Sequence, residues 1–453
     1  MSRAVSNHTD LYESDEPNAV QRERFLAGEV PVAIYGLGKM GLPLAAVYAD
    51  VTGNTVGVDI DPDVVQAVNA GESPVHREPG LDDLVSTVVE TGSLRATRDG
   101  TRAAASAAIH VVMVPTLLTH DRKPDLSILE SVLSTIASGL SVGDLVIIES
   151  TVPPRTTTDL VVPQLASESG IDGFGVAVCP ERTVSGEAIA NIRGTHPKIV
   201  GGIDEESTRV AALIYNEITI NDVIPTVDTT TAEAVKVFEG VYRDVNIALA
   251  NQLAMFAKEM DIDVTAAIEL ANTQPFCDIH NPGPGVGGHC IPVYPYFLSE
   301  QFEADASLLT AARQRNDAMP EFTVAYIQEV LTAYDIDPAQ ASVLLMGVTY
   351  KANIRELRNS PAIPIATEMT ALGAQVFAVD PLVTEWEDLE TMEPLTMATA
   401  MNRTFDVVVL LTPHDDFATL DWNRFGAPIV DGRGSINADT VDTPVYRIGG
   451  RWP

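Results

Sequence analysis

The sequence predicts an α/β chain: two doubly wound domains joined by a central helical domain built on one long helix. Three observations carry this. Short β-branched runs alternate with helical runs from about residue 29 to 212 and again beyond 338. The stretch between them has apolar residues recurring at three and four with few breakers. The first β-branched run leads straight into a glycine-rich turn that opens a helix. Strands alternating with helices build parallel sheets covered on both faces. At 453 residues the chain is long enough for several cores. The expected division is an N-terminal extension over 1–28, mobile or loosely docked, then domains over 29–212, 213–337 and 338–453.

In chain order, Val30-Pro-Val-Ala-Ile-Tyr35 predicts a short buried strand, followed by Gly36-Leu-Gly38-Lys39-Met40-Gly41 and a helix to about Ala49. Thr55-Val-Gly-Val58 is a second strand, with Asp59 at its end. G-x-G-x-x-G alone is weak evidence. Placed after a strand, before a helix, and with an acid about twenty residues on, it predicts a Rossmann-like dinucleotide site. The glycines allow a tight turn and close approach of a pyrophosphate to the helix N-terminus, and Asp59 is suited to ribose hydroxyls. An acid there repels a 2′-phosphate, so the expected cofactor is NAD rather than NADP. Strands at Ile109–Val114 and Leu145–Ile148 end in Val114-Pro-Thr116 and Glu149-Ser-Thr151-Val-Pro153. Ligands of open parallel sheets lie outside the carboxyl ends of strands, which places Thr116 and Thr151 toward the cofactor.

A further strand, Gly175-Val-Ala-Val178, runs into Cys179-Pro-Glu181-Arg182. Cys179 reads as a packed core cysteine. Glu181 and Arg182 read, from the residues alone, as either a surface ion pair or site residues. From about Thr229 to Thr273 the pattern is helical; Lys236, Arg243 and Asn246, spaced by seven and three, fall on one face. Next comes Gly283-Pro-Gly-Val-Gly287-Gly-His289-Cys290-Ile-Pro, too rich in Gly and Pro for helix or strand. It delivers Cys290 on a loop whose backbone can approach a ligand closely.

The second alternation has strands at Ala341–Gly347, at Gln375–Val379 ending in Asp380-Pro381, and at Val407–Leu411 ending in Thr412-Pro-His414. Between the first strand and its helix lies Thr349-Tyr350-Lys351-Ala-Asn-Ile-Arg-Glu-Leu-Arg358-Asn-Ser-Pro361, and Ile429-Val-Asp431-Gly-Arg433 closes the pattern. The absence of G-x-G-x-x-G here predicts a different nucleotide. Asp380 reads as an ordinary turn residue without a role.

Composition narrows the class. With 28 basic against 63 acidic residues the net charge is −35. The acids are scattered along a well-patterned chain, and lysine is reduced to Lys39, Lys123, Lys198, Lys236, Lys258 and Lys351. A solvated acidic surface of this kind suits very high salt, where a Debye length of roughly 3 Å at 1 M suppresses self-repulsion. A halophile is expected. No basic stripe exists, so nucleic acid is not an expected partner. The three cysteines give neither a disulfide framework nor metal-ligand spacing, so no metal is expected. The apolar runs fall far short of the ~20 residues that span a bilayer, and the first 25 residues are polar and acidic; no membrane association is expected, and a cytoplasmic location is.

The Gly287-Gly-His289-Cys290 loop resembles the nucleophile loop of the UDP-sugar 6-dehydrogenases. It looks most like the branch acting on UDP-N-acetylmannosamine or UDP-N-acetylglucosamine; the UDP-glucose branch usually has Ser at the position of His289. Val114-Pro-Thr116, Glu149-Ser-Thr-Val-Pro153, Glu78-Pro-Gly-Leu81, the Cys179-Pro-Glu-Arg182 block, the Lys236 helix and Tyr350-Lys351…Arg358-x-Ser-Pro resemble other family segments, so the likeness spans roughly 30–440. It implies a four-electron, NAD-dependent oxidation of a sugar C6 alcohol to a carboxylate, feeding polysaccharide or glycan synthesis. Cys290 would be the nucleophile and Lys236 its cation and oxyanion partner, with Glu181 helping to activate water. Arg182, Lys236, Arg243, Asn246, Gly287, His289, Tyr350, Lys351 and Arg358 would bind the UDP-sugar, and the long helix would build a homodimer or higher homo-oligomer. The expected substrate is UDP-N-acetyl-D-mannosamine; UDP-N-acetylglucosamine or UDP-glucose as substrate, and a catalytically silent nucleotide-sugar-binding paralogue, are the alternatives. Three departures stand out: Tyr294 replaces the family's Asp four residues after the nucleophile, Gly240 replaces its Asn four after the lysine, and no Arg occurs between Arg243 and Arg313. These bear on the sugar more than on the reaction. A phenol is a poor base below pH ~10, which shifts water activation toward Glu181.

Overall fold

The structure is a computed structural model that describes residues 10–183, 186–386 and 389–452. Two compact units emerge: one ends at Glu239 and includes Tyr296–Phe302, the other comprises Gly240–Pro295 and the chain from Glu303 onward.

The first unit is an eight-stranded sheet of β1 (Val32–Tyr35), β2 (Thr55–Val58), β3 (Leu94–Thr97), β4 (Ile109–Val112), β5 (Leu145–Ile148), β6 (Gly175–Val178), β7 (Lys198–Gly202) and β8 (Val223–Pro225). Its order is β8-β7-β6-β5-β4-β1-β2-β3. Every pair is parallel except β6–β7, which is antiparallel. The central strands are buried along their whole length, as continuous Val/Ile runs must be when helices cover both faces. Two apolar layers result, one holding Ile34, Tyr48 and Cys179, the other Val112, Leu133 and Ile148. Cys179 is indeed core, fully buried among these side chains.

The extension is not loose where it is described; residues 1–9 lie outside the described residues. A helix at Asn18–Leu26 buries Phe25, and Leu11 joins the same apolar layer. Tyr12 Oη donates to Asp204 at 2.9 Å, and Arg22 pairs with Glu217 at 2.6 Å. Polar composition hid this, because the isolated apolar residues find their partners about two hundred positions away.

The long helix Thr229–Ala254 leaves the first unit at Glu239 and continues in the second. There it is followed by helices at Val264–Ala271, Ser307–Asp317 and Met319–Ala333. The second unit's sheet has β9 (Ser342–Met346), β10 (Gln375–Val379), β11 (Glu393–Pro394), β12 (Val407–Leu410), β13 (Ile429–Asp431) and β14 (Val445–Arg447), all parallel in the order β11-β10-β9-β12-β13-β14. Residues 347–361 form a loop before the helix Ala362–Ala371. Among the described residues no helix is long and apolar enough to cross a membrane.

Candidate active site

In the first unit, the turn after β1 is shaped for a ligand's backbone-scale approach. Gly36 has φ 95°, and a Cβ there would overlap the Met113 carbonyl. Gly41 is held as closely, against the Gly36 carbonyl. Gly38 is different: a Cβ on it would meet nothing within 4 Å, so its face is open. The helix Gly41–Thr52 starts here with no side chain capping its N-terminus; Leu42 N and Leu44 N donate to the Gly38 and Met40 carbonyls, and Pro43 has no N–H. Lys39 is exposed on this turn, and the Met40 sulfur meets Thr183 Oγ1 at 2.7 Å. Asp59 ends β2; one carboxylate oxygen accepts from Leu37 N at 2.7 Å, the other from Asp61 N at 3.0 Å. The residues present fit a dinucleotide: an open turn, a helix that no side chain caps, and a half-buried acid for a ribose. Thr116 and Thr151 meet each other, Thr116 Oγ1 donating to the Thr151 carbonyl at 2.5 Å, which ties the ends of the loops after β4 and β5 together.

Beneath these loops lies a buried carboxylate cluster. Glu149 is fully buried; it accepts from Tyr215 Oη and pairs with Lys198 Nζ at 2.7 Å. Burial pushes its carboxyl up to about 7, against the pull of the Lys198 charge. Lys198 Nζ also reaches Glu181 at 3.4 Å. Glu181 Oε1 accepts from Arg182 N at 2.6 Å, and the Arg182 guanidinium turns away to Glu239 and the Pro197 carbonyl. Glu78 Oε2 accepts from Gly186 N at 2.8 Å, pinning the chain beyond this block. Lys198 was visible in the sequence only as one of six lysines; its partners are too far away in the chain for spacing to show. On the long helix Lys236 is half-buried, and Glu233 one turn earlier is buried. Glu233 accepts from the backbone N–H groups of Arg155 (2.6 Å) and Thr157 (2.8 Å), clamping the segment after Thr151 onto the helix that carries Lys236.

In the second unit the Cys290 loop is held from two sides. The Gly288 N–H donates to the Arg358 carbonyl at 2.9 Å, and Asn359 Nδ2 donates to the Gly288 carbonyl at 2.8 Å. Tyr350 lies over this turn: a Cβ at Gly287 would come within 2.6 Å of the Tyr350 Cβ, and one at Gly288 within 2.8 Å of its ring. Burial, then the negative charges of Cys290 and Glu356, push the Tyr350 phenol up to about 12. Thus Cys290, Gly287, His289, Tyr350 and Arg358 come together. Lys351 and Arg358 are exposed beside them. Hydrogen bonding to Cys290 raises the His289 imidazole above its ordinary value despite burial. An imidazole raised in this way beside a thiol favours the thiolate. The Cys290 carbonyl accepts from the N–H groups of Val293 and Tyr294, so the nucleophile candidate also starts a helical turn.

Behind the loop, Gly283 N donates to Asn251, which donates to Asn316, which in turn donates to Asp244, whose carboxylate pairs with Arg313 at 2.5 Å. Asn246 is engaged with the 278–280 segment, accepting from His280 N at 2.8 Å and donating to the Asp278 carbonyl at 2.6 Å. Arg243 is exposed and its charge, after burial, helps lower the His280 imidazole. Arg433 is a cation the sequence reading passed over: its guanidinium faces Gly283, and burial pushes it down to about 10. The D-G-R spacing at the end of a buried strand was the available signal.

Two of the three departures are one contact. Tyr294 is buried, and its ring occupies the space a side chain at Gly240 would need. The larger residue at 294 and the missing one at 240 fit together, and where a polar pair could have held water there is a ring packed on helix backbone.

A doubly wound sheet with an open glycine turn and an acid at the end of β2, and a second such sheet holding a cysteine loop, define an NAD-dependent oxidoreductase of a nucleotide-linked substrate. The comparisons agree over nearly the whole chain. Residues 30–219 match the NAD binding domain of the UDP-glucose/GDP-mannose dehydrogenase family, 230–318 its central domain, and 344–440 its UDP binding domain. The chain is 35% identical over 426 residues to the UDP-N-acetyl-D-mannosamine dehydrogenase of Pyrococcus horikoshii, covering 92% of this chain and 99% of that one. It is 36% identical over 424 residues to the NDP-N-acetyl-D-galactosaminuronic acid dehydrogenase of Ralstonia solanacearum, covering 90% and 96%. The solved structure of the UDP-D-ManNAc dehydrogenase from Pyrococcus horikoshii superposes with a TM-score of 0.84 at 33% identity, covering 93% of this chain and 99% of that one. This chain belongs to the UDP-glucose/GDP-mannose dehydrogenase family and is an NAD-dependent oxidoreductase.

Proposed function

We propose that the chain oxidises the C6 alcohol of UDP-N-acetyl-D-mannosamine to the uronate. The observation that carries this reading is the Cys290 loop, backed by the His289 imidazole and clamped by Tyr350, Arg358 and Asn359 of the UDP-binding block. NAD, when bound, supplies the hydride acceptor twice. The protein's part is to hold the half-oxidised sugar. Cys290 adds to the aldehyde as thiolate, the most nucleophilic ordinary side chain at neutral pH, forming a C–S bond and a thiohemiacetal. Lys236 would steady the oxyanion. The second oxidation leaves a thioester; water attacks it, Glu181 takes the water's proton, and the C–S bond breaks to return the Cys290 thiolate. The packed Tyr294–Gly240 contact leaves Glu181 as the base for that step.

A panel of UDP-sugars with NAD in molar salt tests this reading. Two NADH per sugar, a uronate and no free aldehyde are expected. E181Q should leave hydride transfer intact but slow thioester cleavage about 10²–10⁴-fold, so that a UDP-uronyl adduct on Cys290 accumulates in intact mass spectra. C290A should show no adduct and Y294F little change. One NADH per sugar, or an adduct with Y294F and none with E181Q, sinks this mechanism; binding without turnover of any sugar favours the silent paralogue. Preference for another UDP-N-acetylhexosamine is the second reading, favoured by the Ralstonia relative.

We also infer a cytoplasmic, high-salt enzyme that works as a homodimer. Few of its 63 acids are buried. Phe238, Tyr242 and Leu249 are exposed at helical spacing along the long helix, a face suited to a second copy. At ~0.1 M salt the Debye length grows to about 10 Å and self-repulsion returns. Sedimentation and activity should show an active dimer at molar salt and loss of both on dilution; an active monomer, or full activity at low salt, contradicts the inference.

A further inference from the structure

We propose that Lys198 is a positioning residue for the hydrolytic step: fixed between Glu149 and Glu181, its ammonium holds the Glu181 carboxylate oriented to take a proton from water. This rests on the reading of Glu181 as the water-activating base. The ammonium lies 2.7 Å from Glu149 and 3.4 Å from Glu181, and its side chain is only 12% exposed. It starts β7, where its N–H donates to the Asp222 carbonyl, and it sits 4.7 Å from the centroid of the Tyr215 ring. That is a fixed cation rather than a solvated one.

The arrangement has one cation for two carboxylates. Glu149 is the deeper, sharing its surroundings with Tyr215, Tyr48 and the Cys179 thiol, and burial makes it the one that gives up its charge more easily. Although burial works against the Lys198 charge, the two carboxylates outweigh it and raise the lysine above its usual value. The same ammonium thus tethers Glu181 to the buried Glu149. The other cation close by, the Arg182 guanidinium, is turned to Glu239 and does not substitute. A void of about 20 Å³ borders Glu181, Lys198 and Tyr215, room for about one water. In the step itself, water oxygen bonds to the thioester carbon, its proton goes to Glu181, and sulfur leaves with the C–S electron pair.

Single-turnover kinetics on K198Q and K198R, followed by NADH absorbance and by intact mass of Cys290, separate this from a packing role. K198Q keeps a hydrogen-bonding side chain without the charge. It should leave hydride transfer within about threefold, slow thioester cleavage about tenfold or more, and move the acid limb of cleavage up by about one pH unit, the usual effect of losing an opposite charge near a carboxylate. K198R should restore the wild-type limb. An unmoved limb in K198Q, or hydride transfer and cleavage slowed alike, overturns the proposal. If thermal melts show K198Q unfolded, K198R decides: wild-type cleavage and limb support it, and a folded K198R without cleavage overturns it. If E181Q itself leaves cleavage unchanged, the reading of Glu181 fails and this proposal with it; a slow E181Q beside an unmoved K198Q limb sinks Lys198 alone.

Discussion

The two sheets begin in the same way and finish differently. In each, the first strand ends in a glycine of positive φ, Gly36 at 95° and Gly347 at 82°, whose N–H donates 2.8 Å to the last carbonyl of the second strand, Val58 or Val379. In each, the next N–H, of Leu37 or Val348, donates 2.7 Å to the acid that follows the second strand, Asp59 or Asp380. The central strand order is also shared. The divergence lies in what covers the acid. Asp59 is half-buried and keeps an edge toward solvent. Asp380 is enclosed by Thr349 and by His414 Nε2 at 3.1 Å, and His414 Nδ1 accepts from Asn353 N at 3.0 Å. In the first unit the helix Gly41–Thr52 follows the glycine turn at once and the turn stays open. In the second, the 347–361 loop folds over the same place, closes it with His414, and carries Tyr350, Lys351 and Arg358 outward instead. One backbone frame thus yields a dinucleotide site or a loop platform, according to whether the acid is left open.

The glycines should behave alike, and this is where the largest effect is expected. A Cβ at Gly36 overlaps the Met113 carbonyl, and one at Gly347 overlaps the Thr412 carbonyl. Neither obstacle is a flexible side chain. G36A and G347A should each cost about 2–4 kcal/mol, from positive-φ strain plus overpacking, read as comparable falls in denaturation midpoint at molar salt. A marked inequality would show that the two turns are alike only in outline.

The shared frame was legible in the sequence; the divergence was not. The strands at 55–58, 145–148, 175–178 and 375–379 occupy the predicted residues, because Val/Ile runs between breakers have few alternatives. The dinucleotide turn and Asp59 were readable because strand, glycines and acid sit within one local unit. Asp380 was not, since Asp-Pro is ordinary turn chemistry and its partner His414 lies 34 residues on. Lys198 failed for the same reason, lying 49 residues from Glu149. Gly240 and Tyr294 were visible as two departures, but their being one contact depends on helix and loop meeting in space. Local periodicity is written in neighbours; buried polar partners are not.

The acids, finally, should part company under the same substitution, with smaller effects. D59N keeps an oxygen for Leu37 N but loses the charge facing a ribose. It should raise the KM for NAD about 10- to 100-fold, the range for a hydrogen bond to a charged group, and leave the denaturation midpoint nearly unmoved. D380N puts an amide N–H₂ among donors from Val348, Thr349, Leu382 and His414. Burial alone would raise the Asp380 carboxyl, but the His414 and backbone hydrogen bonds outweigh it and hold it down to about 2, from 3.8. A shift of that size corresponds to about 2 kcal/mol. Because the folded value is the lower one, this stability is fully present above the unfolded value of 3.8 and is lost as pH falls toward 2. The midpoint difference between wild type and D380N should therefore be full at pH 7 and shrink between pH 4 and 2, with UDP-sugar affinity falling and NAD affinity kept. If D380N weakens NAD, or D59N unfolds the protein, the acids have exchanged the roles given to them here, and covering by His414 is not what separates the two sites.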